Sequence, residues 1–69
     1  MITMKEIGKN LKFAREEKEI TVYNVEKDIG IKHQSLYNYE NGKQEPSIIQ
    51  CIKLSEYYGI ELEKLIFLK

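Results

Sequence analysis

The stretch Gly30-Ile31-Lys32-His33-Gln34-Ser35-Leu36-Tyr37-Asn38-Tyr39-Glu40-Asn41-Gly42 is a short helical pattern that begins and ends on glycine. Gly30 closes one helix and Asn41-Gly42 closes the next, because these residue types accept the left-handed backbone of a helix exit. Between them Ile31, Leu36 and Tyr39 turn inward, while His33, Gln34, Tyr37 and Asn38 turn outward. A solvated helix more often carries Glu and Lys on its outer side. This one carries amides, an imidazole and a phenol, groups suited to hydrogen bonding with the edges of bases. A merely solvated face is the competing reading of the same four residues.

On the N-terminal side, Thr21 is a good N-cap for a helix of about residues 22–28, with Val25 and Ile29 inward and Gly30 as its stop. Only Gly30 and Ile31 separate this second helix from a third of about 32–40, so the two must cross steeply, as in a helix-turn-helix. Further upstream, Thr3 with Glu6 forms a capping box that opens a first helix of about 4–18. Ile7, Leu11, Ala14 and the stem of Lys18 recur at helical spacing and give it one inward stripe, with Phe13 off that stripe. On the C-terminal side, Pro46-Ser47 with Gln50 starts a fourth helix of about 48–58 that stops at Gly59. Its expected core face is Ile48, Cys51, Ile52, Leu54 and Tyr58. A fifth helix of about 61–67 presents Leu62, Leu65 and Ile66. Apolar residues nowhere alternate over a sustained run, so the expected fold is all-α.

With 69 residues, the chain is read as a single domain over 1–69. Its hydrophobic content of 42% against 32% charged residues argues for a folded core rather than disorder. No repeat, low-complexity linker, membrane-length apolar run or secretory leader pattern is present, so a soluble cytoplasmic protein is expected. Cys51 lies among Ile48, Ile52 and Leu54 and reads as a small buried hydrophobe. His33 has no Cys or second His at metal spacing, which excludes a structural zinc site, and no cofactor is implied. Catalytic constellations are missing too: no Ser/His/acid set, clustered carboxylate pair or phosphate-cradling glycine loop appears, so an enzyme is not expected. The 11 basic and 11 acidic residues cancel, which removes any general attraction to phosphate. A nucleic-acid face must therefore be local, with Glu26, Asp28, Glu40 and Glu45 buried, paired or turned away.

These landmarks in this order make almost the whole chain resemble the DNA-binding domains of the phage repressor and Cro family, also called the xenobiotic-response-element type. The resemblance rests on Ile7-Gly8-Lys9-Asn10-Leu11-Lys12, Arg15, Thr21, Val25, Gly30-Ile31, Ser35-Leu36, Tyr39-Glu40-Asn41-Gly42, Pro46-Ser47 and Leu54. It implies a five-helix repressor-like domain whose third helix enters the major groove. Carried over position by position, His33, Gln34 and Asn38 become base readers, with Tyr37 beside them. Gln34 and Asn38 suit bidentate contacts to adenine. His33 would donate to a guanine acceptor, and Tyr37 would pack on a thymine methyl or bond a phosphate. Phosphate contacts are expected from Thr21 with the amides at the start of the second helix, from Lys32, and from Asn41, Lys43 and Gln44 in the following loop. Arg15 and Glu40 take the positions of a semi-buried ion pair that ties the first helix to the end of the third.

Three residues depart from the family pattern. Glu26 stands where Ala usually lets the second and third helices approach, Val22 stands where Gln usually reaches a phosphate, and Glu45 brings a negative charge into the loop. The expected function is a sequence-specific DNA-binding transcriptional regulator, a repressor acting by operator occupancy. Double-stranded DNA is its partner, and a homodimer on paired half-sites is expected. The apolar tail Leu65-Ile66-Phe67-Leu68 is the expected dimer surface, the other reading being that Phe67 and Leu68 close the core. The alternative function is a protein-interaction module on the same fold, such as an antitoxin, anti-repressor or adaptor working through a regulatory protein partner. Zero net charge, Val22, Glu26 and the tail favour that alternative.

Overall fold

Most of the helices start where a side chain takes over a free backbone amide. The computed structural model describes residues 3–67, with Phe67 described by its backbone alone. Its helices are α1 (Met4–Glu17), α2 (Val22–Ile29), α3 (His33–Glu40), α4 (Ile48–Tyr58) and α5 (Leu62–Phe67), with no strand among the described residues. At α1, Thr3 Oγ1 accepts from the Glu6 amide at 3.2 Å while Glu6 Oε1 accepts from the Thr3 amide at 3.1 Å. Thr21 and Asn24 make the same reciprocal pair at α2, at 3.1 and 3.2 Å. Ser47 Oγ accepts from the Gln50 amide at 3.1 Å at α4. Each such cap stabilises its helix by about 1 kcal/mol. The N-cap of α3 is Lys32, whose side chain caps nothing.

The helix ends are equally local. Gly30, Gly42 and Gly59 all take positive φ and close α2, α3 and α4. The end of α1 uses Glu19 in the same left-handed region, at φ 55. Gly30, Ile31 and Lys32 then form the short link between α2 and α3, pinned by Ile31 at 1% exposure. This turn sets the packing of α2 on α3 that leaves one side of α3 exposed.

α1 packs on both α3 and α5, α2 packs on α3, and α4 packs on α5. Leu11, Ala14, Val25, Leu36 and Leu54 are fully buried where these helices meet, joined by Ile31, Tyr39, Tyr58 and Leu65. Burying such side chains supplies about 1.5–3 kcal/mol each before entropy is counted. Gly8 is the point of closest approach between α1 and α3, and a Cβ there would run into the carbonyl oxygens of Tyr39 and Glu40. Asn10, itself buried, donates to the Ile66 carbonyl at 3.3 Å and ties α1 to α5.

Several expected positions move. Ile48 and Ile52 are 60% and 40% exposed instead of facing the core. The buried stripe of α4 runs through Cys51, Leu54, Ser55 and Tyr58, and Ile52 lies roughly a third of a turn from its centre. Ile48, the first helical residue, projects beyond the core's edge. Lys18 is exposed and contributes no stem to the α1 stripe. Leu65, expected on a dimer surface, is 1% exposed and belongs to the core, because α5 folds back against α1 and α4. Ile66 is half-buried, whereas the Phe67 side chain and Leu68 lie outside the described residues.

Candidate functional site

Helix geometry and the turn at Gly30 bring the outward residues of α3 beside the start of α2. Gln34 and Tyr37 are exposed, Asn38 is half-buried, and the His33 side chain is 45% exposed. Gln34 Nε2 lies 3.4 Å from Asn38 Oδ1, one helical turn apart, so the two amides form a continuous polar strip. Tyr37 is flanked by Lys43 of the following loop, whose ammonium sits 5.4 Å from the ring centroid. At that distance a cation is attracted to the ring face.

A cleft beside this strip is lined by Lys12, Arg15, Thr21, Val22, Tyr23, Tyr37, Glu40 and Asn41. It brings together three of the expected DNA-contacting residues, Thr21, Tyr37 and Asn41, and both members of the expected ion pair, Arg15 and Glu40, with Lys43 adjoining through Tyr37. The Thr21 hydroxyl is engaged in the capping pair with Asn24. The amides of Val22 and Tyr23 remain as the free donors of the first turn among the described residues. One N–H of Asn41 Nδ2 closes α3 on the Tyr37 carbonyl at 2.8 Å, leaving the other N–H for an external acceptor. Lys32 and Gln44 are exposed at opposite ends of α3, outside the cleft. Val22 is half-buried against the core, so its side chain offers nothing to a phosphate. Glu45 is exposed.

Behind this surface Arg15 grips Glu40 with both arms. Its Nε donates to Oε2 at 2.7 Å and its Nη2 to Oε1 at 3.0 Å, while Nη1 donates to the Ile20 carbonyl at 2.8 Å. The Glu40 side chain is 3% exposed and that of Arg15 15%. Hydrogen bonding to Glu40 holds the Arg15 guanidinium above its ordinary pKa. One acidic charge is thereby withdrawn from the outer side of α3.

Sequence reasoning did not foresee the role of Glu26. Its carboxylate avoids a clash between α2 and α3 by reaching the start of α3. There Oε1 accepts from the His33 amide at 2.9 Å and meets His33 Nδ1 at 2.6 Å. The backbone hydrogen bond, followed by the one to the ring, holds the Glu26 carboxyl below its usual value. Tyr23, 65% exposed on α2, lies against the same imidazole with ring centroids 4.7 Å apart. Of the His33 ring, expected to donate to a guanine acceptor, Nδ1 is thus engaged within the protein, and Nε2 is left as the ring atom that can meet an external partner. The sequence signals only half of this: Lys32 is a poor N-cap, so the His33 amide needs an acceptor from elsewhere, but Glu26 lies seven residues upstream on another helix.

Comparison with known proteins places these features in a family. The helix-turn-helix family model matches residues 11–65. An uncharacterised HTH-type transcriptional regulator of Methanocaldococcus jannaschii is 27% identical over 55 residues, which covers 80% of this chain and 83% of the relative. Among solved structures, the DNA-binding domain of BldD from S. venezuelae superposes with a TM-score of 0.83 at 25% identity, covering 91% of this chain and 94% of that one. The restriction-modification controller protein C.AhdI from Aeromonas hydrophila superposes with a TM-score of 0.84 at 21% identity, covering 90% and 94%. This last likeness concerns the fold.

Proposed function

The chain belongs to the helix-turn-helix family, and on that premise we propose that it is a sequence-specific DNA-binding transcriptional regulator that represses by occupying an operator. The observation that carries this reading is the outer side of α3. It exposes Gln34 and Tyr37 with the half-buried His33 and Asn38, next to the free first-turn amides of α2. Such an arrangement suits base contacts from the helix and phosphate contacts from its surroundings. In this reading His33, Gln34, Tyr37 and Asn38 read bases. The start of α2 at Thr21, together with Lys32, Asn41, Lys43 and Gln44, holds phosphates. The protein acts without enzymatic chemistry or a cofactor, and works in the cytoplasm. No helix among the described residues is long and apolar enough to cross a membrane.

The active form in this reading is a homodimer. Ile48, Ile49 and Ile52 of α4 are 60%, 63% and 40% exposed, an apolar surface that supports α4 as the contact in place of Leu65. Sedimentation over a range of concentrations should show a dimer for the wild type and a monomer for Ile49→Glu.

Selection from a random pool of duplex DNA tests the function. The expected outcome is an enriched site with two half-sites about 34 Å apart. Gln34→Ala and Asn38→Ala should each relax preference at a different base by about 1–3 kcal/mol, whereas Lys43→Ala should weaken all sequences alike. A folded protein that enriches no sequence would transfer the surface to the interaction-module reading.

A further inference from the structure

Glu26 is the residue whose placement the family pattern leaves unexplained. It sits at the crossing of α2 and α3 and gives one oxygen to two donors on one residue, the backbone amide of His33 at 2.9 Å and the ring atom Nδ1 at 2.6 Å. Because a single Oε1 serves both, the ring cannot turn about its side-chain bonds without giving up the shorter contact. Tyr23 adds a second contact from α2, its ring tilted by 39° against the imidazole with centroids 4.7 Å apart. Both contacts to the ring therefore come from α2. α1, the other helix packed on α3, meets it at the opposite end, where Arg15 holds Glu40.

The contact to Glu26 also fixes the proton on the ring. A glutamate at neutral pH has only lone pairs to offer, and the amide of His33 favours that ionised form here. The short contact to Nδ1 is therefore a hydrogen bond donated by Nδ1. In a neutral imidazole one nitrogen carries hydrogen and the other a lone pair, and the bond made by one decides the state of the other. In the neutral ring Nε2 is consequently an acceptor. It makes no hydrogen bond among the described residues, and the one buried side-chain polar atom left without a partner among them is the Tyr58 hydroxyl. Nε2 is accordingly at the surface.

We propose that Glu26 is a positioning residue for base recognition: it holds His33 in the Nδ1–H form, so that Nε2 accepts a hydrogen bond from the exocyclic amine of an adenine or a cytosine. The proposal rests on the reading of α3 as the helix in the major groove. In that groove adenine N6 and cytosine N4 donate, whereas guanine O6 and N7 and thymine O4 only accept. A lone pair on Nε2 bonds the first two and repels the others. An imidazole free to exchange its proton between nitrogens would accept either class.

Two measurements test this, both at about pH 8, above the range in which imidazoles usually titrate. His33 is the sole histidine, so nitrogen-15 spectra of the free protein contain one pair of ring signals. Nδ1 should appear protonated and Nε2 unprotonated in the wild type. Glu26→Gln should keep that pattern, since only its amide oxygen can accept from the His33 backbone. Glu26→Ala should lose it. Random-pool selection then locates the base pair whose preference disappears in His33→Ala. Each pair carries one exocyclic amine, so at that pair N6-methyladenine or N4-methylcytosine, whose methyl group covers the amine in the groove, should weaken binding of the wild type and of Glu26→Gln by about tenfold and that of Glu26→Ala by no more than about twofold.

A wild-type spectrum with Nε2 protonated overturns the proposal, as does wild-type binding that is indifferent to methylation of the amine at the His33 pair, or an equal loss on methylation in Glu26→Ala. Those outcomes leave DNA binding itself standing. If the wild type enriches no sequence, the DNA-binding reading falls and base selection falls with it. Should Glu26→Ala fail to fold, the wild-type spectrum and the wild-type response to methylation decide by themselves.

Discussion

At the scale of single residues, the pair formed by Arg15 and Glu40 is the most buried ion pair among the described residues. Glu40 is buried to 3% side-chain exposure beneath the outer face of α3, and its solvation is replaced by the guanidinium fork at 2.7 and 3.0 Å. Removing the two partners is therefore unequal. Arg15→Met leaves a carboxylate without water or counter-charge and should cost about 3–5 kcal/mol in denaturant unfolding. It also frees the Ile20 carbonyl that Nη1 now serves at 2.8 Å. Glu40→Gln leaves a guanidinium with 15% of its side chain still exposed, so it should cost less than Arg15→Met. Equal losses in the two variants would mean that water reaches Glu40 and that the pair contributes no more than a surface ion pair. No local spacing announces this contact, because its members are 25 residues apart. Only the ordered resemblance to a known domain made it legible.

At the scale of the element, α1 and α4 end in the same hydrogen-bonded motif built from different residues. The Glu19 amide bonds the Glu16 carbonyl at 3.0 Å and the Ile20 amide bonds the Arg15 carbonyl at 3.2 Å. In α4, Gly59 bonds Glu56 at 3.3 Å and Ile60 bonds Ser55 at 2.9 Å. Gly59 takes φ 69 without a side-chain clash, whereas Glu19 takes φ 55 at a cost of about 1 kcal/mol for its Cβ. Glu19→Gly should relieve most of that, and once the extra freedom of the unfolded glycine is subtracted the remaining few tenths of a kcal/mol should raise the midpoint of thermal unfolding by roughly 1–3 °C. A lower midpoint would show that the Glu19 side chain supplies something its exposed position does not reveal. The same contrast explains what the sequence makes readable. Helix boundaries follow from chemistry a few residues wide, as at Thr3 with Glu6, Thr21, Ser47, Gly30 and Gly59, so they emerge within a residue or two. Glu19 carries no such signal, since its conformation is imposed by the motif rather than preferred by the residue. The rotation of α4 was hidden for another reason. Ile48, Ile49 and Ile52 add apolar positions all round the helix, so periodicity alone cannot choose its buried side. The bond from Glu26 to His33 joins two elements, and it becomes visible only once the crossing at Gly30 is known.

At the scale of the whole molecule, recognition of a polyanion must work without net charge, since 11 acidic residues balance 11 basic ones. Arg15 is neutralised by Glu40 and adds nothing to the outer field. The positive groups near the proposed surface are Lys12 in the cleft, Lys43 over Tyr37 and Lys32 at the start of α3. Their reach is short, because at physiological ionic strength exposed charges are screened beyond about 8 Å. A neutral protein approaching DNA therefore gains little until those lysines and the α2 amides touch phosphates. Salt should then act on the bound complex more than on the encounter. With about three or four phosphates neutralised per protomer, log affinity should fall by about 3 for each log unit of salt, and by about twice that for a dimer. Most of this change should lie in the dissociation rate, with association nearly constant across the same salt range. Lys43→Ala should reduce the slope by about 1 per protomer without altering which sequence is preferred. Stopped-flow binding to the selected site at several salt concentrations separates the two rates. An association rate that collapses as salt rises would reveal long-range attraction to DNA, which balanced charges of this kind do not provide.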